Sequence, residues 1–289
     1  MSLFQGIWVP LVTPFHNGAI DFVGLRRLVS HLLEKGVDGL IVCGTTGEPA
    51  AMGKYEQLAV LDAVLELVPA HRVVMGLAGN NLAELLQFQS EILKRPVAGL
   101  LVPAPYYIRP SQAGLEAFFK TVADASSVPL ILYDIPYRTG VAFEQATLLN
   151  IVDHERIVAI KDCGGNLTNT LALLNSGKVD VLCGEDNQIF SALCLGAKGA
   201  IAASAHVHAE RFVRLYQQIR DNQLADGRAT FFELLPLIQS LFIEPNPAPV
   251  KTALALEGLI GDELRAPMQR SSEAMVTRLK AVLDALNKR

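Results

Sequence analysis

Residues 129–161, PLILYDIPYRTGVAFEQATLLNIVDHERIVAIK, contain the pattern that decides the fold of this chain. Two short apolar runs, Pro129–Tyr133 and Val158–Ile160, flank a longer segment. Both runs are rich in Val, Ile or Leu and show no polar alternation, which is typical of strands buried on both faces. Such strands separated by a longer segment predict a βαβ unit and a parallel sheet.

Six more apolar runs share this character, and most segments between runs have the spacing of amphipathic helices. The further runs are Ile7–Val12, Gly39–Val42, Val73–Gly76, Gly99–Val102, Val179–Cys183 and Gly199–Ala202. Apolar residues recur every three or four positions in residues 25–33 and 58–68, and again after Ser111. About eight such units, repeating roughly every 20–35 residues, favour an α/β fold of the (β/α)8 TIM barrel type over an open doubly wound sheet.

The pattern changes after the last run, because only helical periodicity remains from about residue 209 to the end. It is interrupted at residues 245–249, PNPAP, and near Pro267. We therefore predict a (β/α)8 catalytic barrel over residues 1–224 and a C-terminal helical extension over residues 225–289.

Composition limits the class of protein. Of the 289 residues, 51% are hydrophobic and 19% are charged, which excludes a disordered chain. The net charge is −4 without a basic run, so we expect no nucleic-acid partner. No signal-peptide pattern and no apolar span are found, so we expect no membrane association. The four scattered cysteines indicate reduced thiols, which favours a cytoplasmic protein.

Residues that directly follow the strands are the candidates for chemistry, because TIM-barrel enzymes act at the C-terminal ends of their strands. Lys161 follows the sixth run. Burial lowers the pKa of a lysine and exposes a lone pair that attacks carbonyl groups. The alternative is a lysine that pairs with Asp162 or Glu185.

Three other loops carry candidate ligand-binding groups. In Gly44–Glu48, GTTGE, backbone N–H groups could hold a carboxylate or phosphate, or the loop is only a tight turn. Residues 103–110, PAPYYIRP, place two tyrosines in a stiff loop, at a ligand or at the barrel rim. Arg138 could bind a substrate carboxylate through its planar fork, or pair with Asp134 or another acid.

Two weaker signals predict no metal site and no thiol nucleophile. His206 and His208 have metal-like spacing but no third ligand nearby, so we expect loop or cap histidines. Cys163 has no histidine within its loop, which favours a small buried residue.

Taken together, these loops closely resemble the dihydrodipicolinate synthase family of class I aldolases over nearly the whole chain. The matching strings are GTTGE at 44–48, PYY-x-RPSQ-x-G at 105–114, Y-x-x-P-x-RTG at 133–140, IK at 160–161 with GNL at 165–167, and EPNP-x-PVK at 244–251. N-acetylneuraminate lyase and related 2-oxo acid lyases share part of this set. The paired tyrosines and the RTG after Tyr133 favour the synthase.

The resemblance implies a Schiff-base mechanism without metal or organic cofactor, in which Lys161 bonds to pyruvate and the enamine attacks aspartate 4-semialdehyde. It implies that Tyr133 moves protons through Thr45 and through Tyr107 of a neighbouring subunit. Further implied roles are pyruvate-carboxylate binding by the Thr45 and Thr46 amides, semialdehyde binding by Arg138, and a pocket wall at Ile201. The expected assembly is a dimer-based homo-oligomer, which in the family is usually a tetramer.

This chain departs from the family pattern at several positions. Some members bind lysine at the dimer interface, and here Asn80, Glu84 and Tyr106 match that possible effector site. Pro49, Lys54 and Gln57 stand where those members carry a serine and two histidines. A cation at Lys54 would repel the ammonium groups of lysine, so we predict weak or absent inhibition.

Smaller departures concern the residues beside the reactive groups. Asp134 stands where the family often has Asn, and Asp162-Cys163-Gly164 stands where it often has Glu-Ala-Thr. They could reshape the pocket for another aldehyde.

Two alternatives to the synthase stay open. One is a related pyruvate-dependent lyase or aldolase, acting on acetylneuraminate or another 2-oxo sugar acid. The other is a catalytically silent barrel that binds a small acid. Arg138 favours a short acceptor with a carboxylate over a polyhydroxylated one, and a silent barrel has no need for the whole reactive set.

Overall fold

Eight parallel strands close into a barrel in the computed structural model, which describes residues 3–288. The eight barrel strands are β1 (Gly6–Pro10), β4 (Gly39–Val42), β5 (Val73–Gly76), β6 (Gly99–Pro103), β7 (Leu130–Asp134), β8 (Ile157–Asp162), β9 (Asp180–Cys183) and β10 (Gly199–Ile201). Two short strands, β2 (Phe15–His16) and β3 (Ala19–Ile20), form a separate antiparallel pair. The order around the barrel is β1-β10-β9-β8-β7-β6-β5-β4. The prediction of a TIM barrel is confirmed.

Helices follow the barrel strands and continue beyond the last one. They are α1 (Phe22–Glu34), α2 (Lys54–Leu65), α3 (Leu82–Ile92), α4 (Gln112–Asp124), α5 (Pro136–Thr139), α6 (Gln145–Ile151), α7 (Leu167–Ser176), α8 (Ile189–Cys194), α9 (Ala209–Arg220), α10 (Leu224–Leu241), α11 (Ala248–Leu256) and α12 (Glu273–Asn287). Several begin at a side chain that accepts a backbone N–H of the first turn, a preferred N-cap. These caps are Asp21, Asn81, Ser111, Asn166 and Ser272.

Alternate residues of each strand belong to two separate cores, because successive strand side chains point to opposite faces. The smaller core contains at least one residue from every barrel strand: Trp8, Ile41, Val74, Leu101, Ile131, Tyr133, Ala159, Leu182 and Ile201. The larger core takes the alternate residues, such as Leu40 and Leu132, and packs them with the helices. Both faces of the strands are therefore buried, which explains their continuous apolar runs.

The strand bounds agree with the predicted runs to within two residues, and differences of two residues occur at the ends of β1 and β8. The predicted run Ile7–Val12 continues past the end of β1 at Pro10. The Val12 N–H is bonded to His206 Nε2 at 3.1 Å instead of to a neighbouring strand. A hydrogen bond to a side chain therefore marks the end of this strand. The hydropathy of residues 7–12 does not reveal where the strand ends.

The hairpin of β2 and β3 is absent from the sequence prediction. Its turn residues Asn17 and Gly18 have φ values of 51° and 79°, as a tight hairpin turn requires. The Asn-Gly pair between Phe15-His16 and Ala19-Ile20 is the signal that identifies it.

The last part of the chain packs as a helical layer against the barrel. α10 packs on α9, and α12 packs on both α10 and α11. α10 begins at Leu224, beside the predicted boundary between barrel and extension. Among residues 3–288, none of the helices is both long and apolar enough to cross a membrane.

Candidate active site

Lys161 and Tyr133 lie side by side at the C-terminal ends of β8 and β7. They are register partners across these two strands, and each stands two positions after an interior residue, Ala159 or Ile131. Both side chains therefore point into the barrel. Lys161 Nζ lies 4.3 Å from the centre of the Tyr133 ring, and only 6% of Lys161 is exposed.

The alternative of an ion-paired lysine is not found. Within residues 3–288, no carboxylate oxygen lies within 4 Å of Lys161 Nζ. The Asp162 carboxylate instead accepts hydrogen bonds from Thr170 Oγ1 at 2.5 Å and from the Gly164 N–H at 2.9 Å. The lysine amine is thus buried at a strand end and not engaged by a carboxylate.

Tyr133 is held as a neutral phenol. It is 5% exposed, and burial raises the pKa of its hydroxyl well above the ordinary value, with further contributions from Cys163 and Tyr137. A buried phenol with its proton in place can donate to a neighbouring oxygen and take a proton back from another group.

The GTTGE loop forms a short 3₁₀ turn after β4, over Thr45–Gly47. The first amide groups of such a turn have no partner within it. Thr45 is exposed and Thr46 is buried, and Asn246 Nδ2 donates to Thr46 Oγ1 at 2.9 Å. An added Cβ at Gly47 would lie 2.9 Å from the Leu11 carbonyl oxygen, so only glycine fits this close approach.

Two adjoining cavities open at this end of the barrel. The one that contains Lys161 has a volume of about 310 Å³, and the other has about 450 Å³. Thr45, Tyr133, Arg138 and Asn246 line both. Six predicted site residues meet in the smaller cavity: Lys161, Tyr133, Thr45, Thr46, Arg138 and Ile201.

Tyr107 is the predicted site residue that the structure does not bring to this group. It lines neither cavity, and 89% of it is exposed. Its backbone has a φ of 73°, unusual for an aromatic residue, and its N–H donates to the Thr139 carbonyl at 3.0 Å. The loop therefore presents this ring outward from its own barrel.

The possible effector residues lie together beside the larger cavity. Asn80 exchanges two hydrogen bonds with the backbone of Tyr106, at 2.9 and 3.0 Å. Lys54 Nζ lies 3.3 Å from the Glu84 carbonyl oxygen and 5.4 Å from the centre of the Phe88 ring. Pro49, Gln57 and Tyr106 form part of the cavity wall.

Arg138 is exposed and lies over the Tyr137 ring, 5.9 Å from its centre. The alternative that it pairs with Asp134 or another acid is not found, because Arg138 forms no ion pair within residues 3–288. The guanidinium is therefore available at the mouth of both cavities.

Sequence reasoning assigned no role to Asp186 and Asn246, which also line the lysine cavity. Asp186 Oδ2 accepts the Ser204 N–H at 2.6 Å. Burial raises the pKa of Asp186 to about 6, against the lowering effects of this hydrogen bond and of Lys161. Asn246 lies in the EPNP-x-PVK string, which is the signal for it. No comparable signal singles out Asp186.

His206 and His208 have structural positions, one in hydrogen bonds to the backbone and the other at a helix N-terminus. The side chain of His206 is fully buried, bonded through Nε2 to the Val12 N–H and through Nδ1 to the Ala203 carbonyl. Burial lowers the pKa of His206 to about 4. His208 occupies the N-cap position of α9. In residues 3–288, no three His, Cys, Asp or Glu side chains are grouped to hold a metal ion.

Comparison with known proteins agrees with this geometry over the whole chain. Residues 3–286 match the model of the dihydrodipicolinate synthetase family. The 4-hydroxy-tetrahydrodipicolinate synthase of Pelobacter propionicus is 37% identical over 286 residues, covering 98% of this chain and 99% of that protein.

Two solved structures have the same fold along their full length. The dihydrodipicolinate synthase of Thermotoga maritima superposes with a TM-score of 0.95 at 33% identity, covering 99% of each chain. The chloride-inhibited enzyme of Acinetobacter baumannii, solved with pyruvate, gives a TM-score of 0.93 at 29% identity, covering 98% of this chain and 99% of that one. The chain described here belongs to the dihydrodipicolinate synthetase family.

Proposed function

We propose that this chain condenses pyruvate with L-aspartate 4-semialdehyde through a Schiff base at Lys161, the 4-hydroxy-tetrahydrodipicolinate synthase reaction. The observation that carries the proposal is the buried amine of Lys161, which lies 4.3 Å from the Tyr133 ring centre and has no carboxylate partner in the described part of the chain, residues 3–288. Membership of the family supports the same reaction.

The first half of the reaction forms the nucleophile. The Lys161 amine adds to the ketone carbon of pyruvate, and loss of water gives an imine. Once protonated, this imine draws electrons from the adjacent methyl group, which loses a proton and leaves an enamine. The enamine carbon then bonds to the aldehyde carbon of the semialdehyde. The acceptor's own amine finally displaces Lys161 and closes the ring.

Proton transfer is assigned to Tyr133, Thr45 and Tyr107. Tyr133 is the central group because its neutral phenol lies against Lys161. Thr45 lines the same cavity, and its hydroxyl relays the proton towards Tyr107 of a neighbouring subunit. A chain of hydroxyl groups suits repeated donation and return of one proton.

Substrate binding is assigned to the two ends of the cavity. The amides of Thr45 and Thr46 bind the pyruvate carboxylate, and Ile201 packs against the bound keto acid. Arg138 binds the carboxylate of the semialdehyde, which suits the planar fork of a guanidinium. The exposed position of Arg138 at the mouth is consistent with a second substrate that enters after pyruvate.

The assembly and the location follow from the same proposal. Tyr107 points out of its own barrel, so a complete site needs a dimer, and two dimers would form a homotetramer. We expect the enzyme in the cytoplasm, where its thiols stay reduced.

Borohydride reduction in the presence of pyruvate tests the Schiff base directly. The expected result is a mass increase located on Lys161, absent in Lys161→Ala, which also loses nearly all turnover. A wild-type protein that gains no mass would overturn the proposal and favour the silent barrel.

A coupled assay with pyruvate and aspartate semialdehyde, run beside acetylneuraminate cleavage, tests the acceptor. Arg138→Ala should mainly raise the KM for the semialdehyde and leave pyruvate trapping intact. Faster acetylneuraminate cleavage than condensation would assign the chain to the related lyases.

A further inference from the structure

Glu48 joins the two short turns of the loop proposed to bind the pyruvate carboxylate. It ends the 3₁₀ turn Thr45–Gly47 and begins the next, Pro49–Ala51. Its φ is 56°, in the left-handed region, and it is only 5% exposed. A non-glycine residue persists in this conformation only when its surroundings fix it, so the contacts of its side chain decide where the loop lies.

The main contact of the Glu48 carboxylate comes from the far end of the chain. Lys251 in α11 forms an ion pair with Glu48 Oε1, and its side chain is fully buried. Lys251 Nζ also donates to the Glu263 carbonyl at 2.8 Å and lies 4.3 Å from the centre of the Phe15 ring. The ammonium group of Lys251 is thus held in place by contacts other than the one with Glu48.

Arg265 also stabilises the loop at Glu48, through separate hydrogen bonds. Its backbone N–H lies 3.3 Å from Glu48 Oε2. Its guanidinium donates to the Ala51 carbonyl at 3.0 Å and to both carboxylate oxygens of Glu56, at 2.6 and 2.8 Å. These hydrogen bonds lower the pKa of Glu56 to about 2. The turn after Glu48 is therefore attached to the helical extension as firmly as Glu48 itself.

Neither Lys251 nor Arg265 lines either of the two cavities at the site, so neither touches a substrate bound there. Their effect reaches the site through the loop backbone alone. A buried carboxylate that loses its cation is strongly unfavourable, so loss of Lys251 would drive Glu48 towards water and displace the turn beside Thr45 and Thr46.

We propose that Lys251 is a positioning residue for pyruvate, acting through Glu48 to fix the amide groups of residues 45–46 for the keto acid's carboxylate. The inference rests on the proposed function. The C-terminal helical part thereby takes part in substrate binding without contacting the substrate.

The test compares two ligands of Lys161 that differ in charge. Pyruvate and pyruvamide are each trapped with borohydride over a range of concentrations, in wild type and in Lys251→Met. Displacement of the loop should raise the half-saturating concentration of pyruvate at least about tenfold, as expected for a misplaced binding group. The value for the neutral amide should change about twofold or less, because it has no carboxylate for the loop to hold.

A paired variant guards against a folding defect. Glu48→Gln with Lys251→Met removes both charges at nearly constant volume, so no buried charge is left alone. Since no carboxylate is left to be driven towards water, this variant should return the half-saturating concentration of pyruvate towards the wild-type value. Equal losses for both ligands or unchanged trapping in Lys251→Met, or failure of both variants to fold, would make Lys251 a purely structural residue and overturn the inference.

Arg95→Met is the matched control. Arg95 binds Asp62 at 2.5 and 2.9 Å, joining α2 to the segment after α3 away from the loop, and its loss should change neither value. If wild type traps no pyruvate at Lys161, the proposed function itself fails. If wild type traps pyruvate but Lys251→Met loses both ligands equally, only the positioning role fails.

Discussion

Asp134 is a buried carboxyl group that destabilises the fold when it ionises, and its neighbour Asp162 contributes to this effect. They are register partners on β7 and β8, one position beyond Tyr133 and Lys161, and so point to the outer face of the barrel. Asp162 is satisfied by Thr170 and Gly164, whereas Asp134 Oδ1 is buried and has no hydrogen-bond partner among residues 3–288. Burial, and next the charge of Asp162, raise the pKa of Asp134 to about 7.

The raised pKa predicts that Asp134→Asn stabilises the protein in a pH-dependent manner. Between pH 4 and pH 7 the unfolded chain ionises this carboxyl while the folded state keeps its proton, so ionisation increasingly opposes folding. The shift from 3.8 to about 7 bounds the gain in unfolding free energy at about 4 kcal/mol above pH 7. Below about pH 4 the gain should vanish.

Denaturant unfolding at pH 4 and pH 8 measures this difference. The exposed Asp284, replaced in Asp284→Asn, serves as the control and should give the same small effect at both values. A gain from Asp134→Asn that is equal at pH 4 and pH 8 would contradict the assignment.

At the scale of elements, the period of two along each strand decides which residues can meet. Tyr133 and Lys161 reach the interior because they share parity with Ile131 and Ala159, whereas Leu132 faces the helices. Gln57 of α2 and the loop at Pro49 line the larger cavity. Lys54 lies at the start of α2, with its amine against the Glu84 carbonyl.

The position of Lys54 predicts weak or absent inhibition by lysine. A cation beside the cavity repels the ammonium groups of that effector. A titration of the condensation reaction with millimolar L-lysine should change the rate little. Lys54→Ala should be the more sensitive protein, while Lys94→Ala, at an exposed lysine after α3, should behave as wild type. Strong inhibition of the wild type would refute the prediction.

At the scale of the whole molecule, the outward position of Tyr107 bears on whether the active site lies within one subunit or is shared between two. Its ring is 89% exposed and lines neither cavity of its own chain. Under the proposed function, each barrel supplies Lys161 to one site and Tyr107 to another.

Mixed oligomers test the shared site. Lys161→Ala and Tyr107→Ala subunits, coexpressed in equal amounts, should be more active together than the mean of the two alone. In a mixed dimer one of the two sites regains both groups, so random pairing returns about a quarter of the wild-type sites. Lys161→Ala mixed with Arg138→Ala is the control, because both groups belong to one barrel and no gain is expected. Absence of a gain in the first mixture would place Tyr107 outside the neighbouring site.

The sequence by itself determined the barrel, because eight doubly buried strands have no polar alternation and can be read as apolar runs. It also determined the family, because five motifs keep their order and spacing, and the comparisons confirm that prediction. The roles of Lys161, Tyr133, Thr45, Thr46, Arg138 and Ile201 stay predictions, although the structure brings these residues to one cavity.

Only the tertiary structure decided the contacts between residues far apart in the chain. The bond from Val12 to His206 spans 194 positions, and that from Asn246 to Thr46 spans 200. The ion pair of Glu48 with Lys251 joins the first third of the chain to the helical extension. Hydropathy and spacing report the local preference of a segment. A buried pair instead depends on two residues that are distant in the sequence and become neighbours only when the barrel closes.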